Sequence, residues 1–329
     1  MADQIIEHPF IINPFISEVL ETIDTLRTKK KIYGKASSML ITGESGSGKT
    51  EISKYYEKKY PPIESIHGTI IPVLRYELRS VATPKDLLIA LLIAIGDPQR
   101  GRGGINTDDL FDRLVRLIKG VLVELIFLDE IQVISDRRSR EFVFGIASLF
   151  KDLIKATQVP IVFIGMPWAK QLIDIEKQLK GRVLFRRDIS PYRISKVEQR
   201  DDFRRLLKLL ADAYGLSEYF KIEDLSTSLR FFGATSGNLA ATVNLISDAY
   251  IMWQMKNKKV DIKLFADVVS SYGTSDSENS FIVPMDKLVL RELAINSDFE
   301  FGKSANRNKI IQAEYIEYGV TSENKMFCL

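Results

Sequence analysis

Cysteine and histidine are scarce in this chain of 329 residues, which contains one Cys, Cys328, and two His. A lone cysteine excludes an intrachain disulfide, and two histidines leave little material for a zinc or other metal cluster. Long apolar runs are also missing, since none approaches the roughly 20 residues that cross a bilayer. The first ten residues, MADQIIEHPF, lack the basic segment and apolar stretch of a secretory signal. We therefore expect no membrane partner and a cytoplasmic location.

An excess of charge of one sign is absent as well. Lys and Arg total 46 against 43 Asp and Glu, which gives a net charge of +3. A polyanion would therefore have to be bound by a local cluster of positive charge. The composition neither requires nor excludes DNA as a partner.

A glycine-rich loop, GESGSGKT, follows the apolar run MLIT and fits the GxxxxGK[ST] pattern of a P-loop. Its glycines let successive backbone N–H groups point at phosphate, its lysine supplies positive charge, and its last hydroxyl can bind Mg²⁺. A glycine-rich turn is the alternative, but the strand before the loop and the helix after it favour a P-loop. The predicted ATP contacts are Gly43, Glu44, Ser45, Gly46, Ser47, Gly48, Lys49 and Thr50.

An apolar strand that starts at Leu125 ends in two adjacent acids, Asp129 and Glu130. Asp129 is predicted to hold Mg²⁺ together with Thr50, and Glu130 to polarise the water that attacks the γ-phosphate. Lys49 completes this predicted catalytic set. Adjacent acids also occur at solvated strand ends, but their position after a P-loop favours ATP hydrolysis.

Strand and helix patterns alternate after Ser38. The strand-like segments read MLIT, TIIPVLRYEL, ELIFLDE, PIVFIGM and RRDISPYRI, with amphipathic helical patterns between them. This alternation predicts an α/β fold in which helices cover both faces of a parallel sheet. We expect a lead-in at 1–38 that packs near the nucleotide, an ATPase core at 39–194, a helical lid at 195–273 and a tail at 274–329.

Hydrolysis also needs a cation that stabilises negative charge in the transition state. The segment LKGRVLFRRDISPY offers Arg182, Arg186 and Arg187 after the fourth core strand. A solvated basic turn is the alternative for this segment. We favour Arg182 as a catalytic finger that reaches the nucleotide of a neighbouring subunit.

Over residues 8 to about 270 the chain resembles an AAA+ ATPase, with a P-loop, a strand ending in DE, a further strand, an arginine-bearing segment and a helical lid. Within that superfamily it is most similar to the TnsC/TniB transposition regulators, through its NPF lead-in, LITGESGSGKT, LDEIQVI and PIVFIGMPWAKQL. The resemblance implies a P-loop AAA+ core whose parallel sheet has the order 5-1-4-3-2, followed by a small α-helical lid.

Two positions depart from the superfamily pattern. A polar sensor-1 residue generally ends the fourth strand, where this chain has Gly165 and Met166, so no sensor 1 follows from the sequence. The lid helix of many relatives presents a sensor-2 arginine, where this chain has Asn238 after Gly237. Asn238 either caps the helix or contacts the nucleotide, and capping is favoured.

The resemblance further implies that ATP and Mg²⁺ drive assembly of a ring or helical homo-oligomer on double-stranded DNA. The assembly would mark a target site and recruit a transposase and a target-selection protein or RNA-guided complex, and hydrolysis would release it. Family DNA contacts come from segments that line the central hole, for which a flexible solvated loop is the alternative here. The residues that match these segments are Arg79, Lys85, Arg100, Arg102 and Thr107.

Other functions stay open at this point. One is another AAA+ DNA-remodelling or loading ATPase, although the short stretch after the lid offers little room for a winged-helix domain. A second is a scaffold stabilised by ATP with little turnover, against which Glu130 counts. The apolar strip SFIVPMDKLVLREL in the tail is either a partner-binding segment or an extra packed helix. Deletion from Ser275 is expected to spare ATP-dependent DNA binding and to weaken partner recruitment.

Overall fold

The computed structural model describes residues 10–66, 68–79, 83–103, 106–136, 139–256, 258–299 and 310–320. Within these ranges no helix combines the length and the apolar character that crossing a membrane demands. The described chain contains an N-terminal helix, an α/β core, a helical region and C-terminal strands.

The N-terminal helix α1 (Pro14–Tyr33) starts at a polar cap and lies against the core. The Asn13 side chain accepts a hydrogen bond from the Ile16 N–H, and proline suits the first helical position. The helix ends where Gly34 adopts a left-handed conformation with φ of 63°. Its buried side chains join the sheet in one apolar cluster, which includes Val19, Ile23, Leu26, Met39 and Phe127.

The core region contains β1 (Ser38–Thr42), β2 (Ile63–Ser65), β3 (Gly68–Ile70), β4 (Val73–Glu77), β5 (Leu125–Asp129), β6 (Ile161–Gly165) and β7 (Val183–Asp188). Five of these strands form a parallel sheet in the order β4-β5-β6-β1-β7. Counted along the chain without the β2–β3 hairpin, the order is 2-3-4-1-5, so the expected 5-1-4-3-2 is confirmed. The segment TIIPVLRYEL is two strands rather than one, because Pro72 separates β3 from β4.

Helices cover both faces of this sheet, as the alternating pattern predicted. They are α2 (Lys49–Lys59), α3 (Pro84–Ala94), α4 (Thr107–Gly120), α5 (Gln132–Ser135), α6 (Arg140–Thr157), α7 (Lys170–Asp174) and α8 (Lys177–Lys180). Alternate residues of β5 point to opposite faces. Ile126 and Leu128 pack with α3, α4 and α6, whereas Leu125 and Phe127 pack with α1 and α2.

The helical region after β7 has its own apolar core. It contains α9 (Val197–Ala213), α10 (Leu225–Thr235), α11 (Leu239–Lys256) and α12 (Ile262–Ser271). The helical patterns VEQRDDFRRLLKLLADAYG, NLAATVNLISDAYIMWQMK and DIKLFADVVSSYG predict α9, α11 and α12, whereas no pattern indicated α10, whose Phe231 and Phe232 are fully buried. The core of this region also includes Leu207, Leu210, Ile246 and Phe265.

The segment that follows α12 belongs to this helical region. Phe281, Leu288 and Leu290 lie in its apolar core, and β8 (Val289–Ile295) pairs with the later strand β11 (Glu314–Gly319). Between them, β9 (Asp298–Phe299) pairs with β10 (Ile310–Ile311). The apolar strip is therefore not an extra packed α-helix, since it consists of turns, a short 3₁₀ helix (Met285–Lys287) and the first part of β8. Deletion from Ser275 would remove Phe281, Leu288 and Leu290 from the lid core, so we expect it to destabilise the lid. Its effect on ATP-dependent DNA binding stays a prediction.

Candidate nucleotide site

The P-loop connects the end of β1 to the start of α2 at the carboxyl edge of the sheet. Gly46 has a φ of 75°, a conformation that glycine adopts at no steric cost. Gly43 meets a different constraint, since a Cβ at this position would lie 2.2 Å from the Ile189 carbonyl oxygen. The loop therefore needs glycine at both positions, and its shape follows directly from the sequence motif.

Lys49 lies inside the curve of the loop and is 7% exposed. Its Nζ donates to the carbonyl oxygens of Gly43 and Glu44, each at 2.8 Å. Burial lowers the pKa of Lys49, and the carboxylates of Glu130 and Asp129 oppose that shift. An ammonium group in this position can exchange carbonyl oxygens for phosphate oxygens without a large change in its surroundings.

Asp129 ends β5 and is fully buried. Its Oδ1 accepts a hydrogen bond from the Glu130 N–H at 2.9 Å, and the nearby Thr50 hydroxyl favours the charged form of the carboxylate. Its buried Oδ2 has no hydrogen-bond partner among the described residues. Burial raises the pKa of Asp129. A free carboxylate oxygen beside a hydroxyl suits a hard cation such as Mg²⁺.

The described residues contain no cluster of three or more His, Cys, Asp or Glu side chains with metal-binding geometry. A cation between Thr50 and Asp129 would therefore take its remaining ligands from phosphate and water. Mg²⁺ in phosphate-transfer sites is held in this way, by one or two protein groups plus the substrate.

Glu130 follows directly and is half-buried. Its backbone φ is 58°, an uncommon value for a residue with a side chain and one that marks functional sites. Burial raises the pKa of its carboxyl, and the negative charge of Asp129 adds to the increase. The Gln132 amide donates a hydrogen bond to the Glu130 carboxylate, which favours the charged form.

Asn238 joins the lid to the P-loop. Its Oδ1 accepts from the Ala241 N–H at 3.1 Å, so it caps α11 as favoured. Its Nδ2 donates to the Ser45 carbonyl oxygen at 2.9 Å, and the Ala240 N–H donates to the Gly46 carbonyl oxygen at 2.9 Å. The start of α11 therefore lies directly on the loop. Contact of Asn238 with the nucleotide itself stays a prediction.

A cavity of about 360 Å³ opens beside the P-loop. The residues around it come from the start of α1, the chain after β7 and the lid, and they include Asn13, Ser47, Tyr192, Gly237 and Leu239. The Asn13 Nδ2 donates to the Tyr192 hydroxyl at 2.7 Å across one wall. The sequence did not predict that Asn13 and Tyr192 line this cavity, although the Asn-Pro pair that begins α1 is part of the NPF motif.

The C-terminal strands also reach the P-loop, a contact that the sequence did not indicate. The Ser297 hydroxyl donates to Glu44 Oε2 at 3.0 Å, and the Ser297 N–H donates to the other carboxylate oxygen. Lys170 pairs with the adjacent Asp298 at 3.2 Å. Because the Glu44 side chain points at Ser297, any contact of Glu44 with a nucleotide would come from its backbone.

The three candidate arginines lie along β7 and just before it. Arg186 pairs with Asp174 at 2.8 Å, and Arg187 pairs with Glu18 at 2.7 Å. Arg182 precedes the strand, and its buried Nε has no partner in the described part of the chain. Its carbonyl oxygen accepts from the N–H of the first β1 residue at 2.8 Å. Arg182 thus lies at the amino edge of the sheet, roughly 15–20 Å from the P-loop of its own chain.

The five residues predicted to contact DNA are all exposed. The loop that carries Arg100 and Arg102 is built around buried Asp97, which accepts from the Gly101 N–H at 2.7 Å. Arg113 pairs with Asp97 and donates to the Arg102 carbonyl oxygen at 2.8 Å. These hydrogen bonds involve backbone groups of the loop, so the guanidinium groups of Arg100 and Arg102 stay exposed to solvent. Arg79 precedes α3, and Lys85 and Thr107 lie in the first turns of α3 and α4.

Comparisons with known proteins link the chain to a bacterial family and to curated relatives. The family model described as Bacterial TniB protein matches residues 2–188. Origin recognition complex subunit 4 from Rattus norvegicus is 25% identical over 167 residues, which are 48% of this chain and 37% of that protein. The chain thus covers well under half the length of this curated relative.

Solved structures establish the fold. The Aeropyrum pernix ORC2 protein in ADPNP–ADP complexes gives a TM-score of 0.58 at 15% identity, covering 80% of this chain and 69% of that chain. Cdc6p from Pyrobaculum aerophilum gives 0.56 at 14% identity, covering 85% and 73%. The expected AAA+ core with a helical lid is therefore confirmed.

Proposed function

Since the chain belongs to the TniB family, we propose that it is an ATP-dependent, DNA-binding AAA+ regulator of transposition. The observation that carries the proposal is the convergence of Lys49, Thr50, Asp129 and Glu130 at one edge of the sheet. In this proposal ATP and Mg²⁺ promote assembly on duplex DNA, the assembly marks a target and recruits a transposase, and hydrolysis releases it.

Each residue of the site has one chemical role in this proposal. The P-loop N–H groups and Lys49 bind the phosphates, and Thr50 and Asp129 hold Mg²⁺. The metal neutralises charge that develops on the phosphate oxygens. Glu130 orients and polarises the attacking water, for which it must be deprotonated. The adenine base of ATP binds in the cavity beside Tyr192. Asn238 contacts the P-loop and thereby couples a change in the loop to the lid.

Arg182 is proposed to complete the site of a neighbouring subunit. It lies at the sheet edge opposite its own P-loop, and it has no ion pair among the described residues. Arg186 and Arg187 are each paired within the chain. An arginine that contacts ATP across a subunit boundary interacts differently with ATP and ADP, and this difference in affinity couples assembly to hydrolysis.

Mixing two inactive variants tests this arrangement. We expect Arg182→Ala to bind ATP normally and to lose roughly 10³-fold in turnover, because transition-state charge is no longer stabilised. An equal mixture of Arg182→Ala and Glu130→Gln should regain about a quarter of wild-type turnover. In this mixture about one interface in four combines an intact Glu130 from one subunit with an intact Arg182 from its neighbour. Arg186→Ala is the control that should keep turnover near wild type. No recovery in the mixture, measured as phosphate release, would contradict a finger that acts across subunits.

The exposed arginines of the loop after α3 are proposed to contact DNA phosphates. Asp97 and Arg113 hold the backbone of this loop, so its arginines are presented on a defined surface. Contacts of this kind are largely independent of base sequence and weaken with salt. That property suits a protein that accepts many target sites.

The combined variant Arg100→Ala/Arg102→Ala tests the DNA contact and the proposed function together. Wild-type protein should bind duplex DNA at low salt only with ATP or a non-hydrolysable analogue, as sedimentation and electron microscopy can show. The variant should bind more weakly, and the slope of log K against log salt should fall by about 1.8. Arg205→Ala/Lys208→Ala, which removes equal charge from exposed positions of α9, should leave the slope unchanged. ATP-independent binding, or none, would remove the basis for the proposal.

A second candidate is an ATPase that remodels or loads other proteins on DNA. The similarity to an origin recognition complex subunit favours it, although at 25% identity over 37% of that protein. Recruitment of a transposase and of a target-selection protein or RNA-guided complex separates the two functions. Purified partners added to assemblies on DNA would distinguish them.

A further inference from the structure

The side chain of Gln132 joins the ends of two neighbouring strands, β5 and β6. It is 6% exposed, although glutamine is usually a surface residue. Its Nε2 donates to Glu130 Oε2, and its Oε1 accepts from the Met166 N–H at 3.1 Å. Because the two ends of the amide differ in chemistry, these partners fix its orientation. A donor group is therefore held against the Glu130 carboxylate.

Gly165, the last residue of β6, leaves the space that this amide occupies. A Cβ at position 165 would lie 2.7 Å from Gln132 Oε1 and 2.8 Å from the Ala169 Cβ. Any side chain at this position would displace Gln132. The end of β6 thus carries no polar side chain of its own, and the polar group there comes from the chain that follows β5.

Glu130 depends on such support because its backbone is in an uncommon conformation, with φ of 58°. We propose that Gln132 is a positioning residue for ATP hydrolysis, which orients the Glu130 carboxylate and links it to the end of β6. The inference rests on the proposed ATPase function. In this inference Gln132 acts through Glu130, which its amide contacts directly.

Removal of the Gln132 amide has a defined geometric consequence. The Glu130 carboxylate would lose the donor that holds it, and the Met166 N–H at the end of β6 would lose its acceptor. The Glu130 side chain could then adopt other orientations, and a misplaced base is less effective even when its charge is unchanged.

Gln132→Met keeps the volume of the side chain and removes the donor. We expect turnover to fall about tenfold with ATP affinity unchanged, because the base is misplaced while the groups that bind phosphate are intact. Gln132→Glu keeps an acceptor for the Met166 N–H but replaces the donor with a second carboxyl group, which repels the Glu130 carboxylate. It should therefore reduce turnover at least as much as Gln132→Met.

A measurement that needs no turnover separates this inference from the proposed function. In protein labelled with ¹³C-glutamate, the Glu130 carboxyl resonance is the one that disappears in Glu130→Gln. At one fixed pH, Gln132→Met should shift and broaden this resonance, because the carboxylate loses the donor that holds it in one orientation. Gln171→Met is the control, because the buried Oε1 of Gln171 has no partner among the described residues. An unchanged Glu130 resonance in Gln132→Met, or an equal change in Gln171→Met, would overturn the inference even if the wild type hydrolyses no ATP.

Discussion

Lys49→Ala should abolish ATP-dependent assembly on DNA. The buried ammonium now bonds to two P-loop carbonyl oxygens, and in the complex it would bond to phosphate. A hydrogen bond to a charged group contributes about 1.5–3 kcal/mol, and each 1.4 kcal/mol is about tenfold in affinity. We therefore expect ATP affinity to fall roughly 10- to 100-fold in a fluorescence-anisotropy titration with a labelled ATP analogue. Turnover and DNA assembly should be lost with it.

Thermal unfolding distinguishes loss of binding from loss of fold. Wild-type protein at 100 times its dissociation constant for ATP should gain about 2.7 kcal/mol of stability, and Lys49→Ala should gain much less. Without ATP the two should melt at similar temperatures, since burial already disfavours the charge of Lys49. Lys54→Ala, which removes an exposed lysine of the same helix α2, should behave as wild type. Full ATP binding by Lys49→Ala would refute the assigned P-loop role.

The parts of the site that the sequence predicted are the local ones. Gly43 to Thr50 and the acids after β5 form motifs in which a few adjacent residues determine both the backbone shape and the chemistry. Near-continuous apolar runs indicated β1, β4, β5 and β6, because residues of a doubly covered sheet are buried on both faces. The fifth expected strand, RRDISPYRI, was placed too late, since β7 covers 183–188 and overlaps it only at 186–188. The order of the strands came from the resemblance to AAA+ ATPases, since spacing alone does not determine it.

Contacts between distant parts of the chain were not predictable in this way. Ser297 meets Glu44 across 253 positions, and Asn13 meets Tyr192 across 179. Each is an ordinary polar residue whose partner appears only when the chain folds. Helix α10 was missed for a related reason, because its stability comes from packing Phe231 and Phe232 into the lid core. The packing of the C-terminal strip was not predictable either, because its apolar residues reach the lid core from turns and from β8 rather than from one face of a helix.

Glu130→Gln should keep ATP binding and lose hydrolysis. The amide has nearly the shape of the carboxylate and can accept a hydrogen bond, but it cannot act as a base. General-base catalysis contributes about 10²–10⁴-fold, so we expect turnover to fall by that factor. Assemblies on duplex DNA should then persist, because the ATP state that favours assembly is no longer consumed. Their lifetime after dilution into ATP-free buffer, followed by fluorescence from labelled DNA, measures the effect.

The pH dependence of turnover identifies the carboxyl group responsible. Burial raises the pKa of Glu130, so wild-type turnover should be full above this raised pKa and decline as the pH falls through it. The residual turnover of Glu130→Gln should lack this acid limb. Glu141→Gln, at an exposed position in the first turn of α6, should retain both the rate and the limb. If Glu130→Gln hydrolyses ATP as fast as an active wild type, Glu130 is not the general base. Measurable hydrolysis by both proteins would also exclude a scaffold that binds ATP without turnover. If both proteins bind ATP, assemble on DNA and hydrolyse almost none, the scaffold function is the correct one.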